Sequence, residues 1–168
     1  MTSPADRQGE LAIDVLLDSP LWDSVPAADA TVREAIVVAA EQISAPAGEL
    51  VVLLTDDIAM QKLNRDWRGI DKPTNVLSFP ATTPASGVQT AMLGDIVIAF
   101  ETLDRESRAE SMTFLHHLSH LAVHGFLHLM GYDHQIDSDA DAMERIEVAI
   151  LDRLQIPDPY LARDSANG

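Results

Sequence analysis

The chain has no cysteine. That excludes disulfides, thiol nucleophiles and thiolate metal sites together, so any metal ion must be held by His, Asp or Glu. Basic residues are scarce: 11 Lys and Arg stand against 27 Asp and Glu, a formal net charge of −16. Taken alone, this balance argues against a nucleic-acid binder, because a polyanion is repelled by a surface of its own sign. No apolar run approaches the roughly 18–20 residues of a bilayer-spanning helix. The opening MTSPADRQGE has neither a basic region nor the apolar stretch of a secretory leader. Repeats and low-complexity tracts are also missing, which excludes solenoids, collagen and wholesale disorder. These absences predict a protein of the cytoplasm.

At 168 residues and 46% hydrophobic content, the chain is long enough to bury a substantial core and short enough to be a single domain over 1–168. Its polar ends, 1–10 and 161–168, are expected to be loosely ordered. The charge is unevenly spread. Lys62, Arg65, Arg68 and Lys72 lie close together with only Asp66 and Asp71 between them, whereas the residues after 131 are strongly acidic. With a Debye length of about 8 Å in physiological salt, such a cationic patch acts independently of a distant acidic face.

Leu11, Ile13, Val15 and Leu17 alternate with period two and predict a strand ending before Pro20. Val32, Ile36, Ala39, Ala40 and Ile43 predict a helix over 30–45, closed by Pro46 and Gly48. ELVVLLT reads as a central strand. Thr55 or Asp56 is placed to cap a helix reaching about Trp67, with Ile58, Met60, Leu63 and Asn64 near its inner stripe. NVLSF and LGDIVIAF supply two more strands, separated by a loop over 81–91. The last third reads as helices over 101–110, 112–130 and 139–154, with Ser138 and Asp141 at capping-box spacing. Gly131 stands where a helix is expected to end. The expected fold is α+β, a four-stranded mixed β-sheet packed with about five helices.

All six histidines fall between 116 and 134. At about 100° per residue, His117, His120, His124 and His128 share one stripe of the helix. His124 and His128, one turn apart, can clasp one ion at Zn–N distances of about 2.0–2.1 Å. Gly131 permits a positive φ that turns the chain and returns His134 to the same ion. Three neutral imidazoles leave a fourth position open, the arrangement of a catalytic zinc site, and such an ion polarises phosphoryl or carbonyl oxygens. His117 and His120 read equally as supporting groups or core residues. Asp133 either orients a neighbouring histidine or caps the turn. Asn64, Asn75 and Ser78 are polar candidates for substrate contact that the spacing itself does not place.

The spacing also matches the zinc-peptidase pattern His-Glu-x2-His-x2-Gly-x2-His except at one position, where Gly125 replaces the glutamate base. A peptidase would need its base from elsewhere. A third reading is a non-catalytic assembly protein whose zinc pins the helix end.

HGFLHLMGYDH at 124–134 resembles the zinc-binding signature of the bacterial YbeY family, metal-dependent endoribonucleases that mature ribosomal RNA. LNRDWRGIDKPTNVLSFP at 63–80, LGDIVI at 93–98, and Met143, Glu144 and Glu147 before IPDPY extend the likeness over about residues 50–160. The resemblance implies that His124, His128 and His134 are metal ligands holding one Zn2+ and that Arg68 is the functional arginine. It further implies single-stranded RNA as substrate, without DNA or membrane, and small-subunit ribosomal RNA and proteins as partners. A guanidinium fork suits this role, since it can bind two phosphate oxygens and offset developing charge. Lys62, Arg65 and Lys72 are expected to assist RNA binding, with water or the ribose 2′-hydroxyl as nucleophile. The chain's acidity requires a locally positive cleft or a ribosomal partner that delivers the substrate.

Overall fold

The computed structural model describes residues 11–81, 92–132 and 137–160. Four strands and five α-helices follow in the order β1 (Leu11–Leu17), α1 (Ala28–Gln42), β2 (Gly48–Thr55), α2 (Asp57–Arg68), β3 (Val76–Pro80), β4 (Met92–Ala99), α3 (Phe100–Ala109), α4 (Phe114–Leu129) and α5 (Asp137–Arg153). A 3₁₀ turn, Pro20–Ser24, separates β1 from α1. The sheet order is β1-β2-β4-β3; β1, β2 and β4 run parallel and β3 runs antiparallel to β4. The fold is therefore α+β around a mixed four-stranded sheet, as the sequence predicts.

Period-two alternation divides the strand residues between two cores. Leu50, Val52 and Leu54 of β2 and Ile96 and Ile98 of β4 join the larger one, with Val32 and Ile36 of α1 and Leu118, Ala122 and Phe126 of α4. On the opposite face Val97, Ala99 and Leu77 pack against Met60 of α2. β2 and β4 lie between neighbours and are covered on both faces, so they read as near-continuous apolar runs. Pro80 ends β3 at the sheet edge, where its missing N–H breaks no ladder.

Four local readings are corrected or sharpened. Ile58 is 81% exposed and not on the inner face of α2. It is two residues from Met60, about 200° around the helix, so the two cannot share a stripe. Leu17, at the end of β1, is also exposed. Asp56, not Thr55, caps α2, its carboxylate accepting from Ala59 N–H at 2.9 Å. Thr55 completes β2 instead, its hydroxyl donating to Asp18 and its carbonyl accepting from the buried Trp22 indole. α5 already includes Asp137, so Ser138 lies inside the helix. The expected loop over 81–91, apart from Ala81, and the loosely ordered ends lie outside the described residues.

Candidate active site

α4 is the centre of the site. Thr113 caps it by accepting from His116 N–H at 3.1 Å, and most of its residues from His117 to Leu129 are buried. His117, His120, His124 and His128 form the stripe expected from their spacing, with successive ring centroids 6.0, 6.3 and 4.6 Å apart. Burial falls along the stripe. His117 and His120 are enclosed, whereas His124 and His128 are half-buried and line an open cleft of about 580 Å³. Gly131, at φ 95°, follows the end of α4 in the left-handed conformation that an L side chain rarely adopts.

Arg68, the last residue of α2, lines the same cleft, together with Asn75 and Ser78 of the β3 wall and Tyr132 beyond α4. The sequence-predicted arginine and two of the predicted histidines are thus brought together across one opening. The other cations are not. Among the described residues Lys62, Arg65 and Lys72 do not line the cleft, and Arg65 instead sits 3.6 Å from Asp66 and 3.7 Å from Asp71. Asn64 is buried and donates to Lys72 C=O at 2.8 Å, which makes it a brace for the loop after α2. His134 and Asp133 lie outside the described residues.

Ser78 donates to the Gly125 carbonyl at 2.8 Å, which clips α4 to β3. A Cβ on Gly125 would lie 2.9 Å from Ile96 Cγ2 and 3.2 Å from both Ser78 Oγ and Val76 Cγ2. The helix approaches the sheet so closely that even a methyl group here would force a neighbour to move, and a longer side chain has no space. The glutamate base of the zinc peptidases therefore has no room at this position, and its absence follows from packing as well as from composition.

The imidazoles are oriented by a carboxylate that the motif spacing alone does not reveal. Glu147, on α5, is 1% exposed and shares a helix face with the buried Met143, Ile150 and Leu151. Its Oε1 accepts from His124 Nδ1–H at 2.8 Å, and its Oε2 accepts from His120 Nε2–H at 2.8 Å and Tyr160 O–H at 2.7 Å. Burial opposes ionisation of this carboxyl. Hydrogen bonds from His120 and His124, reinforced by charge attraction, outweigh that opposition and bring its pKa down from 4.5 to about 2. A glutamate at an apolar helix position was the available signal, because a buried charge is retained only where partners satisfy it. A second pair, the buried His117 with the partly exposed Glu106 at 2.9 Å, extends the stripe away from the cleft, and Asn75 also donates to that carboxylate.

These residues can hold a metal ion. His120, His124 and Glu147 bring three ligand atoms within 4.8 Å of one another. On the cleft side, His124 Nε2 and His128 Nε2 face each other at 3.0 Å. Two nitrogens about 2.0–2.1 Å from a tetrahedral ion stand about 3.3 Å apart, so this pair needs only a small opening to admit one.

The profile of the family described as Endoribonuclease YbeY matches residues 23–155. An Endoribonuclease YbeY from Bradyrhizobium sp. strain BTAi1 is 51% identical over 157 residues, covering 90% of this chain and 93% of its own. One from Rhodopseudomonas palustris strain BisB18 is 52% identical over 161 residues, covering 93% and 96%. The solution structure of a Thermotoga maritima protein shares the fold at a TM-score of 0.53 and 22% identity, over 85% of this chain and 91% of that one. With half of its residues identical across nearly the full length of such relatives, and with its histidine helix and Arg68 facing one cleft, the chain belongs to the YbeY endoribonuclease family.

Proposed function

We propose that this chain is a metal-dependent endoribonuclease that cuts single-stranded RNA, acting in the cytoplasm on the 3′ end of 16S ribosomal RNA and in ribosome quality control. The observation that carries the reading is the facing pair of imidazole Nε2 atoms, 3.0 Å apart, in a cleft whose other wall presents Arg68. His124 and His128, with His134 as the third ligand, hold the ion, taken to be zinc because borderline ions favour neutral imidazole. Bound there, a divalent ion polarises a phosphoryl oxygen and acidifies a hydroxyl nucleophile. Arg68 grips the phosphate with its guanidinium fork and offsets the charge that develops on it. Because the cationic residues near the cleft are few, small-subunit proteins are proposed to help deliver the substrate.

The test uses one preparation on three substrates: a synthetic single-stranded RNA, the same sequence as a duplex, and casein. The single strand should be cut and the duplex and casein spared. Cleavage should stop on chelation and return with Zn2+. RNA cleavage that survives complete metal stripping, or casein hydrolysis in place of RNA cleavage, overturns the proposal.

A further inference from the structure

We infer that Glu147 is the positioning residue of the metal centre: one carboxylate oxygen keeps the proton of His124 on Nδ1, and the other is braced by His120 and Tyr160. The inference rests on the reading that the ion lies between His124 and His128.

A carboxylate can only accept hydrogen bonds, so the 2.8 Å contact between His124 Nδ1 and Glu147 Oε1 places a proton on Nδ1. In a neutral imidazole the lone pair then belongs to Nε2, the atom directed at His128 Nε2. A free imidazole exchanges between two tautomers, only one of which presents a donor lone pair to the cleft. Glu147 selects that one before an ion arrives and fixes the ring plane.

The carboxylate itself is immobilised. It projects from α5, and Oε2 is reached by His120 from α4 and by Tyr160 from beyond the end of α5. Three donors converge on two oxygens of a group that is 1% exposed. The same hydrogen bonds argue against Glu147 as a ligand. Both oxygens are already in hydrogen bonds of 2.7–2.8 Å, and Glu147 does not line the cleft onto which His124 and His128 open. An ion bound among His120, His124 and Glu147 would have to displace those bonds.

The test compares full-length Glu147→Gln, Tyr160→Phe and His128→Ala with the parent chain. Zn2+ affinity is read by competition with a chromophoric chelator. The His124 tautomer is read in the metal-free protein at neutral pH from long-range 15N–1H spectra. Glutamine keeps the shape but offers an NH2 where an oxygen stood, so Glu147→Gln should weaken Zn2+ binding about 10- to 100-fold and shift His124 toward the Nε2–H form. Tyr160→Phe should move both readouts the same way by less. Zn2+ affinity within twofold of the parent in Glu147→Gln, with an unchanged tautomer and with His128→Ala still impaired, reduces Glu147 to a structural residue. If Glu147→Gln does not fold, Tyr160→Phe decides, and unchanged affinity and tautomer there overturn the inference. Loss of binding in Glu147→Gln with normal binding in His128→Ala would instead place the ion on His120, His124 and Glu147. That result removes the reading of the site itself.

Discussion

Replacing Gly125 with alanine sets two effects of known sign against each other. In a helix interior alanine is favoured over glycine by about 1 kcal/mol, so an unobstructed site would be stabilised. Here the new methyl would lie 2.9 Å from Ile96 Cγ2, on a fully buried, β-branched side chain of a central strand that has little freedom to move. Val76 Cγ2 and Ser78 Oγ, at 3.2 Å, block retreat to either side. Overpacking of this kind costs about 1–3 kcal/mol. If α4 withdraws, the Ser78 bond to the Gly125 carbonyl stretches at a further cost of about 1 kcal/mol. The net expectation is a destabilisation of about 1–3 kcal/mol, a fall of roughly 2–12 °C in melting temperature for a chain of this size. Because His124 directly precedes Gly125, withdrawal also shifts an imidazole relative to Arg68, so RNA cleavage should fall as well. Gly125→Glu, which restores the peptidase pattern, should fail to fold instead of gaining peptidase activity. Thermal unfolding followed by circular dichroism measures the stability term. A Gly125→Ala protein as stable as the parent, or more so, would show that helix propensity wins and that the seam between α4 and β3 is not tight.

Three other outcomes are expected. Arg68→Ala should slow single-turnover cleavage at saturating RNA by about 10²–10³-fold, whereas Lys62→Ala and Lys72→Ala should mainly lower the salt dependence of binding by about one phosphate contact; equal cleavage rates in all three would remove the catalytic role of Arg68. His134→Ala should weaken Zn2+ binding and abolish cleavage with the melting temperature nearly unchanged, and global unfolding on chelation would point to a structural metal instead. The pKa of Glu147 is depressed from 4.5 to about 2, so its stabilisation is fully present above pH 4.5 and is lost as pH falls toward 2. The contribution is about 3 kcal/mol. Denaturant unfolding of the metal-free protein across this window should show a steeper loss for the parent than for Glu147→Gln, and parallel curves would refute the assignment.

The strands were legible because the sheet imposes its period on the sequence: alternation marks β1, and continuous apolar runs mark β2 and β4. The histidine stripe was legible for a similar reason, since three- and four-residue spacing on a helix is itself a spatial statement. Ile58 is apolar like Met60, but two residues on a helix turn it about 200° away and onto the exposed face, which hydrophobicity alone does not indicate. Lys62, Arg65 and Lys72 are close to Arg68 in sequence, but of these four only Arg68 lines the cleft, and Arg65 is drawn to Asp66 and Asp71. Glu147 stands 23 residues from the imidazole it orients, and that distance is closed only by the packing of α5 on α4. The likeness at 143–160 includes both Glu147 and Tyr160, but a motif does not state which of its residues face one another.

The central claim is that the ion is held on the cleft side of α4, opposite Arg68, with Glu147 behind it. A crystal structure of the Zn2+-loaded full chain, with the metal located by anomalous scattering at the zinc edge, tests this directly. The account predicts an ion bound by the Nε2 atoms of His124 and His128 and by an imidazole nitrogen of His134, with one position left open toward the cleft and Glu147 hydrogen-bonded to His124 Nδ1. An ion coordinated by His120, His124 and a Glu147 oxygen, or one closed off by a fourth protein ligand, would contradict it.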